Sequence, residues 1–96
     1  MTNKIAIVTG GSRGLGKNTA LRLASKGVDV ILTFHSKRTE ADSVVAAIEA
    51  LGGKATALQL DVTQSKSFPQ FANDLKIILQ AKWQRDSFDF LVNIIN

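Results

Sequence analysis

The fold is decided by the stretch Thr9-Gly10-Gly11-Ser12-Arg13-Gly14-Leu15-Gly16. It follows a short β-branched apolar run, Ile5-Ala6-Ile7-Val8, which is typical of a strand buried on both faces in a parallel sheet. From Leu15 onward the spacing of the apolar residues becomes helical. The stretch is therefore a glycine-rich turn that joins a buried strand to a helix.

Such a turn is suited to binding phosphate. Glycines allow positive φ and leave no Cβ in the way of an approaching phosphate. The helix that follows presents unpaired N–H groups and the positive end of its dipole. The turn therefore predicts a pyrophosphate site, and Gly16 would let the helix pack closely on the strand. A tight turn without a ligand is the alternative, but the position between strand and helix favours the phosphate site. A P-loop is excluded, because Lys17 is followed by Asn18 rather than by Ser or Thr.

Strands and helices alternate along the rest of the chain. The pattern predicts strands at Ile5 to Val8, Val28 to Phe34, Ala55 to Leu60 and Phe88 to Ile95. The helices between them carry apolar faces formed by Leu15, Thr19, Ala20, Leu23 and Ala24, by Ala41, Val44, Val45, Ile48 and Leu51, and by Phe68, Phe71, Ala72, Leu75, Ile78 and Leu79. The order β-α-β-α-β-α-β requires right-handed crossovers and a parallel sheet, so the predicted fold class is α/β.

Length and composition exclude several classes of protein. The 96 residues are enough for one domain, residues 1–96. The net charge of +4 is spread along the chain, whereas a nucleic-acid binder more often has a dense basic stripe with interleaved aromatics. With no Cys and one His, disulfides, thiolate metal sites and multi-histidine sites are excluded. No apolar run approaches the ~20 residues of a membrane span, and no signal-peptide layout precedes the first strand, so we expect a cytoplasmic protein.

Three short motifs occur in an informative order. Thr9, Gly10, Gly14 and Gly16 follow the pattern Thr-Gly-x-x-x-Gly-x-Gly, Asp61-Val62 follow the third predicted strand, and Phe90-Leu91-Val92-Asn93 lie in the fourth. With these motifs, over essentially the whole chain, the sequence resembles the short-chain dehydrogenase/reductase family. The resemblance implies a Rossmann-like parallel sheet, one half of a doubly wound fold, with strand order 3-2-1-4 in this half. It also implies oxidoreduction of alcohols and ketones with NAD(H) or NADP(H).

The resemblance implies a set of cofactor-binding residues. These are Gly10, Ser12, Arg13, Gly14, Leu15, Gly16, His35, Ser36, Asp61, Val62 and Asn93. Asp61 and Val62 would contact the adenine, and the alternative for Asp61 is a helix cap or a turn carboxylate. His35 is expected as an edge contact to the adenosine rather than as a proton carrier. Asn93 is followed by Ile94 and Ile95, where the family has Asn-Ala-Gly, and β-branched residues could not let the backbone approach the cofactor as that glycine does.

The end of the second predicted strand indicates which nicotinamide cofactor is bound. An Asp or Glu there would accept hydrogen bonds from the ribose hydroxyls and repel a 2′-phosphate. This chain has Phe34, and its next carboxylate is Glu40. An Arg fork and a hydroxyl suit a 2′-phosphate. By resemblance to the family's NADP-preferring members we expect NADP(H) rather than NAD(H), with Arg13 and Ser36 as the leading contacts. For Lys37-Arg38 the alternative is a solvated loop.

The sequence lacks the residues that would carry out the reaction. In the family a Tyr protonates the forming alkoxide, a Lys four residues on lowers its pKa, and a Ser orients the substrate. This chain contains no Tyr and ends before that region, so we expect no catalytic residue and no activity from the 96 residues alone. An alcohol or ketone substrate would need the missing half. The alternative is a non-catalytic nucleotide-binding or interaction module with the same fold, and a basic nucleic-acid binder ranks third.

The predicted fourth strand has a consequence for association. A truncated, frameshifted or engineered chain would leave Phe88 to Ile95 as an unprotected apolar edge with no Pro inside it. We therefore expect self-association or a homo-oligomer formed through this strand. The lysines of the third helix, Lys66, Lys76 and Lys82, are most simply its solvated face.

Overall fold

The computed structural model describes residues 3–12, 14–61 and 63–94. In them strands and helices alternate in the order β1 (Ile5–Thr9), α1 (Gly14–Ser25), β2 (Asp29–Phe34), α2 (Arg38–Ala50), β3 (Ala55–Gln59), α3 (Ser67–Ile78) and β4 (Phe90–Asn93). A π-helical turn, Leu79–Trp83, continues α3. All strand pairs are parallel, and the order across the sheet is β3-β2-β1-β4. The predicted α/β class, Rossmann-like sheet and strand order are confirmed for the described residues.

The core lies on both faces of the sheet. On one face, α1 and α2 bury a cluster that contains Val8, Ala20, Ala24, Val30, Leu32, Phe34, Ala41, Val44, Ile48 and Ala55. On the other, α3 and the π-helical turn cover a smaller cluster of Ile5, Ile7, Ile31, Leu79 and Trp83. Every residue of β2 is buried, as a central strand of a parallel sheet requires.

Helix α1 contacts the sheet through small residues. Its buried residues are Gly16, Ala20 and Ala24, which are spaced four apart and share one face. The expectation that Leu15 shares this face is wrong, because Leu15 lies one residue off that row and is 63% exposed. A face of Gly and Ala lets the helix axis approach the strands closely.

The π-helical turn after α3 makes a contact that the helical spacing does not predict. No residue of α3 itself is buried, and Phe68 is 46% exposed. Burial comes instead from Leu79 and Trp83. The Trp83 indole N–H donates to the buried Asp29 carboxylate, with 2.8 Å between Nε1 and Oδ2. This bond joins the turn to the first residue of β2 and satisfies a carboxylate that would be costly to bury alone.

Lys82 is a further correction to the expected solvated face. Its ammonium donates to the Ala55 carbonyl oxygen at 2.5 Å, and the Lys54 ammonium donates to the Lys82 carbonyl oxygen at 3.1 Å. Because a π-helical turn holds more residues than an α-helical one, it changes the helical phase and directs Lys82 toward β3. Lys66 and Lys76 are exposed, as expected.

Strand β4 is shorter than the sequence predicts. The Asp89 carboxylate, rather than a backbone carbonyl, accepts the Ile5 N–H at 2.8 Å, and the Asp89 N–H donates to the Ile5 carbonyl oxygen at 2.9 Å. The Arg85 guanidinium binds the same carboxylate at 2.8 and 3.2 Å. Asp89 therefore ties the start of β4 to the start of β1, and regular strand pairing begins at Phe90. Ile95 lies outside the described residues.

The junction between the glycine turn and α1 is very tight. A Cβ added at Gly16 would lie 2.0 Å from the carbonyl oxygen of Gly10 and 3.1 Å from the Cα of Gly11. The sequence predicts that Gly16 lets the helix pack on the strand. In the structure, the atoms that leave no room for a Cβ at Gly16 belong to the turn. The helix and the turn can therefore meet only at a residue without Cβ.

Gly16→Ala should be much more destabilising than Gly14→Ala. The first change forces a Cβ against the backbone, and we expect the free energy of unfolding to fall by about 3 kcal/mol. A Cβ at Gly14 meets no atom within 4 Å, so only the positive φ of +58° is costly there, at roughly 1–2 kcal/mol. Urea denaturation of both variants measures the difference. Equal losses of stability would contradict the packing argument.

Asp89→Asn should flatten the acid dependence of stability. The Arg85 guanidinium, helped by the Ile5 N–H, lowers the pKa of Asp89 from 3.8 to about 2. Because folding favours the charged form, this stabilisation is present above pH 3.8 and is lost as the pH falls toward 2. Melting temperatures measured across this range should fall less steeply for Asp89→Asn than for the wild type. Asp86→Asn is the control, and an unaltered profile in Asp89→Asn would count against the assignment.

Candidate functional site

Two cavities meet at the carboxyl ends of β1 and β2. The first has a volume of about 650 Å³ and is lined by Thr9, Gly10, Thr33, Phe34, His35, Leu60, Asp61, Thr63, Phe68, Asn93 and Ile94. The second has a volume of about 490 Å³ and is lined by Gly10, Ser12, Gly14, Phe34, His35, Ser36 and Lys37. Small-molecule sites of open α/β sheets lie at this edge, where the strand order reverses. The sheet reverses between β1 and β4, and the first cavity contains residues of both strands.

The glycine turn forms the boundary between the cavities and α1. Gly10 has a φ of +67°, and a Cβ added at Gly10 or Gly14 would meet no heavy atom within 4 Å. The backbone is therefore open to an approaching group at both positions. The first turn of α1 carries no acidic residue that would compete with an anion for its N–H groups. The arrangement can hold a phosphate against unpaired amides at the amino end of the helix.

The turn is fixed in place by β2. The Gly10 N–H donates to the Thr33 hydroxyl oxygen at 3.0 Å, and the Gly11 N–H donates to the Thr33 carbonyl oxygen at 3.2 Å. Thr33 is only 2% exposed. One buried residue of the neighbouring strand thus accepts two successive N–H groups of the turn.

The carboxylate of Asp61, which lines the first cavity, has several partners. Asp61 Oδ1 accepts the Thr63 N–H at 3.0 Å and the Thr63 hydroxyl at 2.6 Å, and Asp61 Oδ2 lies 3.1 Å from His35 Nε2. The Thr63 hydroxyl and N–H, followed by His35, lower the pKa of the Asp61 carboxyl below its ordinary value. The hydrogen bonds therefore agree with the turn-carboxylate alternative for Asp61. His35, which is exposed, lines the same cavity as Phe68 of α3.

The end of β4 is tied to β1 at the same edge. The Thr9 hydroxyl donates to Asn93 Oδ1 at 2.7 Å and accepts the Ile94 N–H at 3.0 Å. Ile94 is partly buried against the α1 and α2 cluster and lines the first cavity. An isoleucine side chain therefore occupies part of the space next to Asn93.

The structure brings most of the expected site residues together. Those that line one or both cavities are Gly10, Ser12, Gly14, His35, Ser36, Asp61 and Asn93. Gly16 is buried beneath the turn, Leu15 is exposed on α1, and Arg13 and Val62 lie outside the described residues.

Sequence reasoning missed other lining residues. Those outside the expected cofactor-binding set are Thr9, Thr33, Phe34, Lys37, Leu60, Thr63, Phe68 and Ile94. A hydroxyl near the end of an otherwise apolar strand was the available signal for Thr33. Lys37, for which a solvated loop is the alternative, lines the second cavity. Phe68, which is predicted on the apolar face of the third helix, is exposed and lines the first cavity. No residue of α3 is buried.

Within residues 3–12, 14–61 and 63–94, no group of three or more His, Asp or Glu side chains could hold a metal ion. No helix in the described part of the chain combines the length and hydropathy that crossing a membrane requires.

Comparisons with known proteins identify the family. A family model described as short chain dehydrogenase matches residues 4–93. The chain is 46% identical over 70 residues to a 3-oxoacyl-[acyl-carrier-protein] reductase of Synechocystis sp.. It is 36% identical over 92 residues to the short-chain dehydrogenase/reductase homolog YusS of Bacillus subtilis. Its structure superimposes with a TM-score of 0.88, at 28% identity, on landomycin C-6 ketoreductase LanV with bound NADP and rabelomycin.

The matches cover different shares of these proteins. The Synechocystis alignment takes in 73% of this chain and 28% of the reductase, and the LanV superposition takes in 94% of this chain and 37% of that one. The YusS alignment takes in 95% of this chain and 78% of YusS. The chain therefore spans less than two fifths of the Synechocystis reductase and of LanV, and most of YusS. It belongs to the short-chain dehydrogenase/reductase family.

Proposed function

We propose that residues 1–96 form the NADP(H)-binding part of a short-chain oxidoreductase that acts on alcohol or ketone groups. The observation that carries this proposal is the glycine turn, open at Gly10 and Gly14, which lines two cavities at the carboxyl edge of a parallel sheet. A dinucleotide carries a pyrophosphate, and this arrangement offers a turn suited to phosphate with open space beside it. The nicotinamide, when bound, supplies or accepts the hydride.

The residues present fit the adenosine half of such a cofactor. Ser12, Gly14 and Ser36 line the second cavity, where hydroxyls and backbone amides face the same space. His35 lines both cavities and would contact the adenosine edge, with Asp61 of the first cavity toward the adenine. The expected adenine contact of Val62 falls on a residue outside the described ranges. Asn93 lines the first cavity, on the β4 side of the turn.

The charges near the second cavity favour NADP(H) over NAD(H). The strand end carries buried Phe34 rather than a carboxylate, and the exposed residues that follow it in the lining are His35, Ser36 and Lys37. A 2′-phosphate would meet a hydroxyl and a lysine there, with Arg13 as the expected guanidinium contact. Arg38 has other partners, because its guanidinium lies 5.1 Å from the centroid of the Phe34 ring and 3.9 Å from Asp42. That LanV binds NADP is consistent with this preference.

We expect this chain to bind the cofactor without reducing a carbonyl by itself. The family's acid is a tyrosine, and none of the 96 residues is Tyr. The same observation supports the second candidate, a non-catalytic nucleotide-binding module with this fold. NADPH oxidation assayed with a carbonyl substrate, alone and after addition of the remainder of a longer relative, distinguishes the two. Activity that appears only on complementation supports the enzyme half, and binding without any rescue supports the module.

Calorimetric titration tests the cofactor preference. NADPH should bind at least about tenfold more tightly than NADH, because a charged hydrogen bond to the 2′-phosphate contributes about 1.5–3 kcal/mol. Arg13→Ala and Ser36→Asp should each weaken NADPH by about tenfold and change NADH little. Arg22→Ala, in the last turn of α1, is the matched control. Tighter binding of NADH, or undiminished NADPH affinity in Arg13→Ala, would overturn the preference.

We also propose that copies of this chain associate through β4. Successive residues of a strand point to opposite faces, and Phe90 and Leu91 are 47% and 61% exposed. A strand with large apolar residues uncovered on both faces resembles an interior strand of a doubly wound sheet. Its free edge offers unpaired backbone groups to a second copy.

Sedimentation velocity over a range of concentrations checks this association. The weight-average sedimentation coefficient should rise with concentration, and Leu91→Lys should reduce the rise, because a buried charge opposes edge pairing. Leu51→Lys changes a similarly exposed leucine at the end of α2 and should leave association intact. A monomer at every concentration would rule out the proposal.

A further inference from the structure

Thr33 makes a contact that no cofactor-binding motif of the sequence includes. It lies in β2, whose residues are all buried, and its own exposure is 2%. Its hydroxyl oxygen accepts the Gly10 N–H at 3.0 Å, and its carbonyl oxygen accepts the Gly11 N–H at 3.2 Å. The backbone and the side chain of one residue thus hold two successive peptide groups of the glycine turn.

The peptide group between Gly10 and Gly11 lies close to α1. Its carbonyl oxygen is the atom that a Cβ at Gly16 would approach to 2.0 Å. Gly10 has a φ of +67°, which lies outside the strand region. Its orientation therefore depends on contacts with neighbouring residues. The Thr33 carbonyl on the Gly11 N–H and the Gly16 backbone beside the Gly10 carbonyl together restrict the orientation of this peptide group, and the Thr33 hydroxyl on the Gly10 N–H holds the peptide group before it.

We propose that Thr33 is a positioning residue that sets the glycine turn in its phosphate-binding conformation before any ligand arrives. This inference rests on the proposed function of the turn. It also divides the turn's amides into two groups: the N–H groups of Gly10 and Gly11 are committed to Thr33, and those at the start of α1 remain for the phosphates. Gly10 then contributes to the site by lacking a side chain, not by donating its N–H. A turn ordered in advance loses less conformational freedom on binding, so the affinity is higher.

Paired variants separate the hydroxyl from the shape of the side chain. Thr33→Val keeps the branched shape and removes the hydroxyl, whereas Thr33→Ser keeps the hydroxyl. Thr56→Val, in β3, is the matched control, because it makes the same change in a strand away from the turn. We expect Thr33→Val to weaken NADPH binding about tenfold, and Thr33→Ser and Thr56→Val to stay within about twofold of the wild type. Circular dichroism of each variant reports whether it is folded.

Amide hydrogen exchange in the cofactor-free protein gives a readout that does not depend on NADPH. The Gly10 N–H of the wild type should exchange more slowly than an unprotected amide, and Thr33→Val should accelerate it at least tenfold while Thr33→Ser does not. Fast exchange of Gly10 in the wild type would overturn the inference even if Thr33→Val failed to fold. A folded Thr33→Val with wild-type affinity and wild-type exchange would overturn it as well. Failure of the wild type to bind NADPH would instead refute the proposed function, and the exchange measurement would still decide whether Thr33 holds the turn.

Discussion

The close approach of α1 to the glycine turn is the constraint on which the rest of the structure depends. A Cβ at Gly16 would lie 2.0 Å from the Gly10 carbonyl oxygen, so the helix can begin here only because that side chain is absent. The small residues Ala20 and Ala24 lie on the same face of the helix and are buried in the core cluster over the sheet. They keep α1 close to the strands and direct its amino end toward the carboxyl edge of the sheet. The turn geometry that we propose for phosphate binding is thus a consequence of how the helix packs.

The candidate site lies between the buried strand β2 and the more exposed strand β4, which pairs with β1. Strand β2 is buried throughout, and Thr33 extends its hold to the turn. Strand β4 is tied to β1 at its start by Asp89 and at its end by the bonds of Thr9 to Asn93 and Ile94. These side-chain links add to the backbone pairing with β1, although Phe90 and Leu91 of that strand are exposed. A ligand would therefore contact the glycine turn, which is bonded to Thr33 of β2, on one side and the more exposed strand β4 on the other.

The sequence predicts the parts of this structure that depend on local pattern. Runs of β-branched residues locate the strands, and the glycine spacing locates the turn, because neighbours along the chain determine both. The bond from Trp83 to Asp29 could not be predicted, since its partners lie 54 positions apart and a π-helical turn shifts the phase of the helix before it. Of the two partners of Asp61, only Thr63 could be predicted from the sequence. Its turn with Thr63 is local, whereas its contact with His35 joins the ends of two different strands.

A crystal structure of the 96-residue chain with NADP⁺ tests the central claim most directly. We expect the pyrophosphate within hydrogen-bonding distance of the first-turn amides of α1, the Gly10 N–H still bonded to Thr33, and the 2′-phosphate beside Ser36. A cofactor bound away from the glycine turn, or both cavities empty at saturating NADP⁺, would contradict the account.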